Sequence, residues 1–139
     1  MQSESSSIKE IELELDKVHA RAKAAFGAKD LDGYMAAFSP DLAYKQVNGK
    51  IIYYDQLKID IASQFARVSR VESSFTREQI EWAGSEVVEH LTQTAIAEEK
   101  IFLVFTRKWQ VHRRGLYTWS KSNLGWVISK VEVVEESVL

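Results

Sequence analysis

Arg113-Arg114-Gly115-Leu116-Tyr117-Thr118-Trp119-Ser120-Lys121-Ser122-Asn123-Leu124-Gly125-Trp126-Val127-Ile128-Ser129-Lys130-Val131-Glu132-Val133-Val134 sets two runs of β-branched and aromatic residues around the turn-forming Ser122 to Gly125. That pattern predicts an antiparallel hairpin of two long strands. In the first strand, Trp109, Val111, Arg113, Gly115, Tyr117 and Trp119 share one face, and Gln110, His112, Arg114, Leu116, Thr118 and Ser120 share the other. The first set suits a partly polar, concave interior. By the same alternation Lys130 and Glu132 follow Trp126 and Ile128 inward, while Val127, Val131 and Val133 fall on the opposite face. Apolar residues on both faces call for a second cover, most simply a homodimer through the outer face of the sheet.

Upstream, Val71 to Trp82 and Glu86 to Ala97 read as two more long strands around Ala83-Gly84-Ser85, and Ile101 to Phe105 reads as a strand or a flap, with strand favoured. Before them the period is helical. Ile8, Ile11, Leu15, Val18, Ala22, Ala25 and Phe26 recur in steps of three and four, predicting a helix that stops near Gly27. Asp30 caps a short second helix over Leu31 to Phe38, ended by Ser39-Pro40-Asp41. Asn48-Gly49 predicts a small hairpin between Leu42–Val47 and Lys50–Tyr54, and Asp55 caps a third helix carrying Leu57, Ile61, Phe65 and Val68. The whole is an α+β domain over residues 8–139, three N-terminal helices packed on one face of a strongly curved antiparallel sheet, preceded by a disordered leader over 1–7.

Composition excludes several function classes. The chain of 139 residues has a formal net charge of −2 and no Cys, which argues against nucleic acid as a partner and removes thiolate chemistry and cysteine metal sites. The absence of a long apolar run and of a basic, apolar leader predicts no membrane association and a cytoplasmic protein. Gly-rich phosphate loops and nucleophile elbows are absent, and the spacing of the three His matches no metal motif, so no cofactor and no metal is expected.

The segment Gly27-Ala28-Lys29-Asp30-Leu31-Asp32-Gly33-Tyr34-Met35-Ala36-Ala37-Phe38-Ser39-Pro40-Asp41, with Tyr117-Thr118-Trp119-Ser120-Lys121 and Gly125-Trp126-Val127-Ile128, resembles the signature of the SnoaL-like, nuclear-transport-factor-2-like superfamily. The resemblance implies a cone, a bent sheet wrapped around helices, usually dimeric, with a pocket at its open end. Isomerases, cyclases, dehydratases, carriers and assembly domains share that scaffold, so it does not choose among them. An ungapped match to the ketosteroid isomerase branch places its general-base Asp at Gln46 and its oxyanion-hole Tyr at Ala22. Neither residue can do that work.

Candidate chemistry therefore starts from other residues. His19, with Asp16 one turn earlier, is a candidate for proton transfer, as is His90; a solvated helix edge is the alternative for the pair. Arg113, Tyr117, Lys130 and Glu132 are candidates to hold the polar end of a ligand, against a plain solvated rim. Trp109, Trp119, Tyr44 and Tyr54 are candidates for its apolar walls, although most such aromatics are core. The expectation is a small-molecule-binding domain, either a cofactor-independent isomerase, cyclase or dehydratase or a non-catalytic binding or assembly module.

Overall fold

A computed structural model describes residues 4–100 and 105–139. Helix α1 spans Glu4–Gly27, α2 Leu31–Met35, β1 Phe38–Lys45, β2 Ile51–Tyr53, α3 Tyr54–Arg67, β3 Arg70–Ala83, β4 Glu86–Lys100, β5 Thr106–Ser122 and β6 Gly125–Val138. The strands form one curved, unclosed six-stranded sheet in the order β2-β1-β6-β5-β4-β3. Neighbours are antiparallel except β1 and β6, which run parallel. None of the described helices is long and apolar enough to cross a membrane.

The α1 stripe buries Ile11, Leu15, Val18, Ala25 and Phe26, as its spacing predicts. Its helix starts at Glu4 rather than Ile8, within the leader assigned to residues 1–7; residues 1–3 lie outside the described residues. Asp30 does cap α2, accepting from the Gly33 N–H at 3.0 Å, but the helix ends at Met35 and the chain is already extended at Phe38. The reason is sheet pairing: β1 lies beside β6, with Phe38 opposite Ile128 and the Ile128 N–H donating to Ala37. Pro40 sits inside β1, within the span between Phe38 and Ala43 where the ladder is irregular. Asp55 is in the first turn of α3 without capping it; the cap position is Tyr53 and makes no side-chain bond. The Asn48-Gly49 turn joins β1 to β2, with Gly49 at φ 86°. Four residues of the Ile101–Phe105 segment, 101–104, lie outside the described residues.

The β5–β6 hairpin has its two-residue turn at Asn123-Leu124, as the sequence predicts. Its register breaks twice. Thr118 faces Lys130 and Trp119 faces Ile128, leaving Ser129 as an extra residue; Arg114 faces Glu135 and Gly115 faces Val133, leaving Val134 as another. An extra residue reverses the alternation beyond it and increases local twist. Ile128, Val131 and Val133 therefore all reach the same core. Lys130 and Glu132, opposite Thr118 and Leu116, turn to the outer face and do not line the cavity between helices and sheet. Val131 and Val133, which simple alternation assigns to the second face, thus belong to the core. Gly115 has its own steric reason, because a Cβ there would stand 2.9 Å from the Glu132 carbonyl oxygen.

Between helices and sheet the apolar core is in two parts. The larger joins Leu15, Val18, Met35, Leu42, Leu91, Trp119 and Val131; the smaller joins Phe26, Phe65, Val68, Val71 and Ala97. Tyr34 and Ile61 touch both, and the open space of the domain lies at their level.

Candidate functional site

A cavity of about 390 Å³ opens between α1, α3 and the concave face of the sheet. That is within the ~300–1,000 Å³ range of small-molecule sites. Phe26 and Phe75 give it flat apolar walls; Lys23, Asp60, Gln64 and Glu136 bring charge and polarity. A recess of about 60 Å³ shares His19, Ala22, Tyr34, Tyr44, Gln93 and Arg113 with it, and continues to Tyr117 and Trp119. Gln46 and Ala22 both line the cavity.

His19 is buried on α1, its ring 4.1 Å from that of Phe75 and edge-on to Trp119 at 5.2 Å. Its carboxylate partner is not Asp16. His19 Nε2 lies 2.8 Å from Oε1 of Glu89, a fully buried residue of β4, and the Trp119 indole N–H donates to the same oxygen at 2.7 Å. Glu89 Oε2 accepts from Arg77 Nε at 2.6 Å, and Asp16 instead accepts from the far end of Arg77 at 2.7 Å. Burial pushes the Glu89 carboxyl up, but the hydrogen bonds and charges of His19 and Arg77 outweigh it and hold the group below its ordinary 4.5. Glu89 is thus ionised and only accepts, so His19 Nε2 carries the proton of their hydrogen bond. Nδ1 makes no hydrogen bond among the described residues, and no buried side-chain nitrogen or oxygen there lacks a partner. Nδ1 therefore keeps some exposed surface, and His19 lines the cavity.

A carboxyl that loses protons more readily folded than unfolded contributes stability that is complete above pH 4.5 and is lost as pH falls through its folded value. Urea unfolding across the acid range is expected to show this loss in the wild type, and a flatter acid limb in Glu89→Gln. Parallel curves would show that Glu89 does not carry the dependence.

The other polar groups meet around Arg113. Its Nε donates to Glu136 at 2.7 Å; burial alone would lower its proton affinity, but the Glu136 carboxylate raises it, so it stays charged. Burial pushes the phenols of Tyr34, Tyr44 and Tyr117 up, with Arg113 opposing, which keeps them neutral donors. The Tyr117 hydroxyl donates to Gln93 at 2.6 Å. The hydroxyls of Tyr34 and Tyr44 make no hydrogen bond among the described residues, and by the same reasoning they open on the cavity they line.

The structure thus brings His19, Arg113, Tyr117, Trp119 and Tyr44 together, Tyr117 and Trp119 at the recess only. It does not bring the rest. His90 lies near the outer face, 3.0 Å from Glu81; its β5 partner Leu116 is on the outer side. Trp109 packs with the smaller core under Arg107, and Tyr54 packs against the larger core without lining the cavity. Glu89, Arg77, Tyr34 and Gln93 were missed. The signal for Glu89 was available: it alternates with Val87 and Leu91 on the buried face of its strand, where an unpartnered carboxylate is not tolerated. Among the described residues no three His, Cys, Asp or Glu gather as a metal site.

No family model matches the chain, and no curated protein does. Solved structures do. A candidate scytalone dehydratase from Novosphingobium aromaticivorans is 10% identical with a TM-score of 0.79, over 97% of this chain and 91% of that one. A conserved protein from Planctomyces limnophilus is 14% identical with a TM-score of 0.78, over 89% and 94%. A candidate dehydratase of the NTF2-like family from Streptomyces avermitilis is 9% identical with a TM-score of 0.69, over 86% and 92%. At such identities the likeness is one of fold.

Proposed function

We propose that this chain, which has the cone fold of NTF2-like proteins, binds a small ring compound bearing a carbonyl or hydroxyl oxygen and moves a proton on it without a cofactor. The observation that carries the reading is that His19, Tyr34, Tyr44 and Arg113 line one recess, with His19 Nε2 held by Glu89 on its other side. Flat walls at Phe26, Phe75 and Tyr34 favour a ring. Charges at the site are offset, Arg77 by Glu89 and Arg113 by Glu136, which favours a neutral ligand. Nδ1 takes a proton from the carbon beside the carbonyl, and phenol and guanidinium donors hold the oxygen as it becomes an enolate. Return of the proton to another carbon completes an isomerisation; departure of a neighbouring hydroxyl with that proton, as water, completes a dehydration.

Thermal denaturation with cyclic ketones and hydroxylated aromatics tests binding. An oxygen-bearing ring at 100 times its Kd should stabilise by about 2.7 kcal/mol. The same ring without oxygen should do much less, and Arg113→Met should abolish the difference. Equal effects of both rings would sink the reading. The second reading, a non-catalytic binding module, is favoured by Gln46 and Ala22 on the cavity wall, where the isomerase resemblance puts acid-base residues. Binding without exchange of the ligand's carbon-bound hydrogen in D₂O would establish it.

A further inference from the structure

We propose that Arg77 is a positioning residue for this site: by holding the second oxygen of Glu89 it keeps the His19 imidazole a base rather than an imidazolium. The inference rests on the reading of His19 as the group that meets the ligand, but the geometry behind it is independent of any ligand. Glu89 is fully buried and His19 nearly so. A buried carboxylate 2.8 Å from an imidazole strongly favours the protonated ring, and a protonated ring has no lone pair to offer. Left to itself, the pair that orients His19 would also disable it.

Arg77 supplies the counterweight. It reaches Glu89 from β3 at 2.6 Å, on the oxygen that His19 and Trp119 leave open, with 19% of its side chain exposed. The second arm of the guanidinium ends on Asp16 of α1 at 2.7 Å, one turn from His19. The fork thus ties β3 to both the strand and the helix that make the pair, a two-point geometry that a lysine cannot reproduce. Asp16 has a graded role of its own, because its charge offsets part of that of Arg77 before it acts on Glu89. The other charged or titratable groups that line the same space as His19 are Lys23 on α1, Tyr34 on α2, Tyr44 on β1, Asp60 on α3, Arg113 and Tyr117 on β5 and Glu136 on β6.

The test is the proton titration of the His19 ring by NMR in the ligand-free protein, with His19→Gln to assign its signal against His90 and His112. Arg77→Met is expected to raise the His19 midpoint by about one pH unit or more, a tenfold or greater gain in proton affinity. Asp16→Asn, at a half-exposed position that leaves the core intact, is expected to lower the midpoint. The opposite signs distinguish charge tuning from loosening of the fold, which would carry both midpoints toward that of an exposed histidine. A midpoint unmoved or lowered in folded Arg77→Met overturns the proposal; should that variant not fold, an unmoved or raised midpoint in Asp16→Asn does. Failure here leaves ligand binding untouched, since that is read by thermal denaturation of the wild type, and failure to bind leaves the titration readable.

Discussion

Replacing His19 by Gln is expected to lower the rate of proton transfer on a bound ring ketone by about 10²–10⁴-fold, with binding largely retained. The amide nitrogen of Gln can still donate to Glu89, so the buried carboxylate keeps a donor near the one it has at 2.8 Å. What is lost is the lone pair at Nδ1, since an amide cannot accept a proton at neutral pH. Exchange of carbon-bound hydrogen for deuterium measures the rate directly, and denaturation midpoints with and without the compound measure the binding. Exchange as fast as in the wild type would remove His19 from the chemistry and leave the cavity as a binding site.

The largest effect on stability is expected from Glu89→Ala, at about 3–5 kcal/mol. One buried carboxylate accepts from His19, Trp119 and Arg77, which belong to α1, β5 and β3. Its removal leaves a buried indole N–H and a partly buried guanidinium without that acceptor, and opens a void beside Trp119, which is fully buried. For a chain of this length the loss corresponds to a melting temperature lower by roughly 10–17 °C. Urea denaturation measures it, and a cost below about 1 kcal/mol would show that the three donors find water or other acceptors instead. Asp16→Asn provides the contrast: it removes the half-exposed carboxylate on the same Arg77, whose ion pair belongs to the weak surface class.

How far the site could be read from the chain follows from the range of the interactions involved. Arg113, Tyr117 and Trp119 were placed on the concave face by the two-residue period of their strand, and they lie there. His19 was placed near the cavity by the α1 stripe. Its partner was misassigned because Asp16 is three residues away in sequence whereas Glu89 is seventy away, and only the packing of α1 on the sheet makes the second distance the short one. Lys130 and Glu132 were misplaced for a related reason: a bulge is a property of the register between two strands, and neither strand alone records it.

The amino-acid sequence by itself determined the element types, the long α1 stripe, the tight turns at Asn48-Gly49 and Asn123-Leu124, and one face of β5, because periodicity and turn stereochemistry act within a few residues. Tertiary structure alone decided where α2 gave way to β1, which way β6 faced after Ser129, and which carboxylate met His19. Those outcomes depend on which groups must satisfy one another after water is removed. A charge as deeply buried as Glu89 takes its donors from wherever the fold brings them, whatever their distance along the chain.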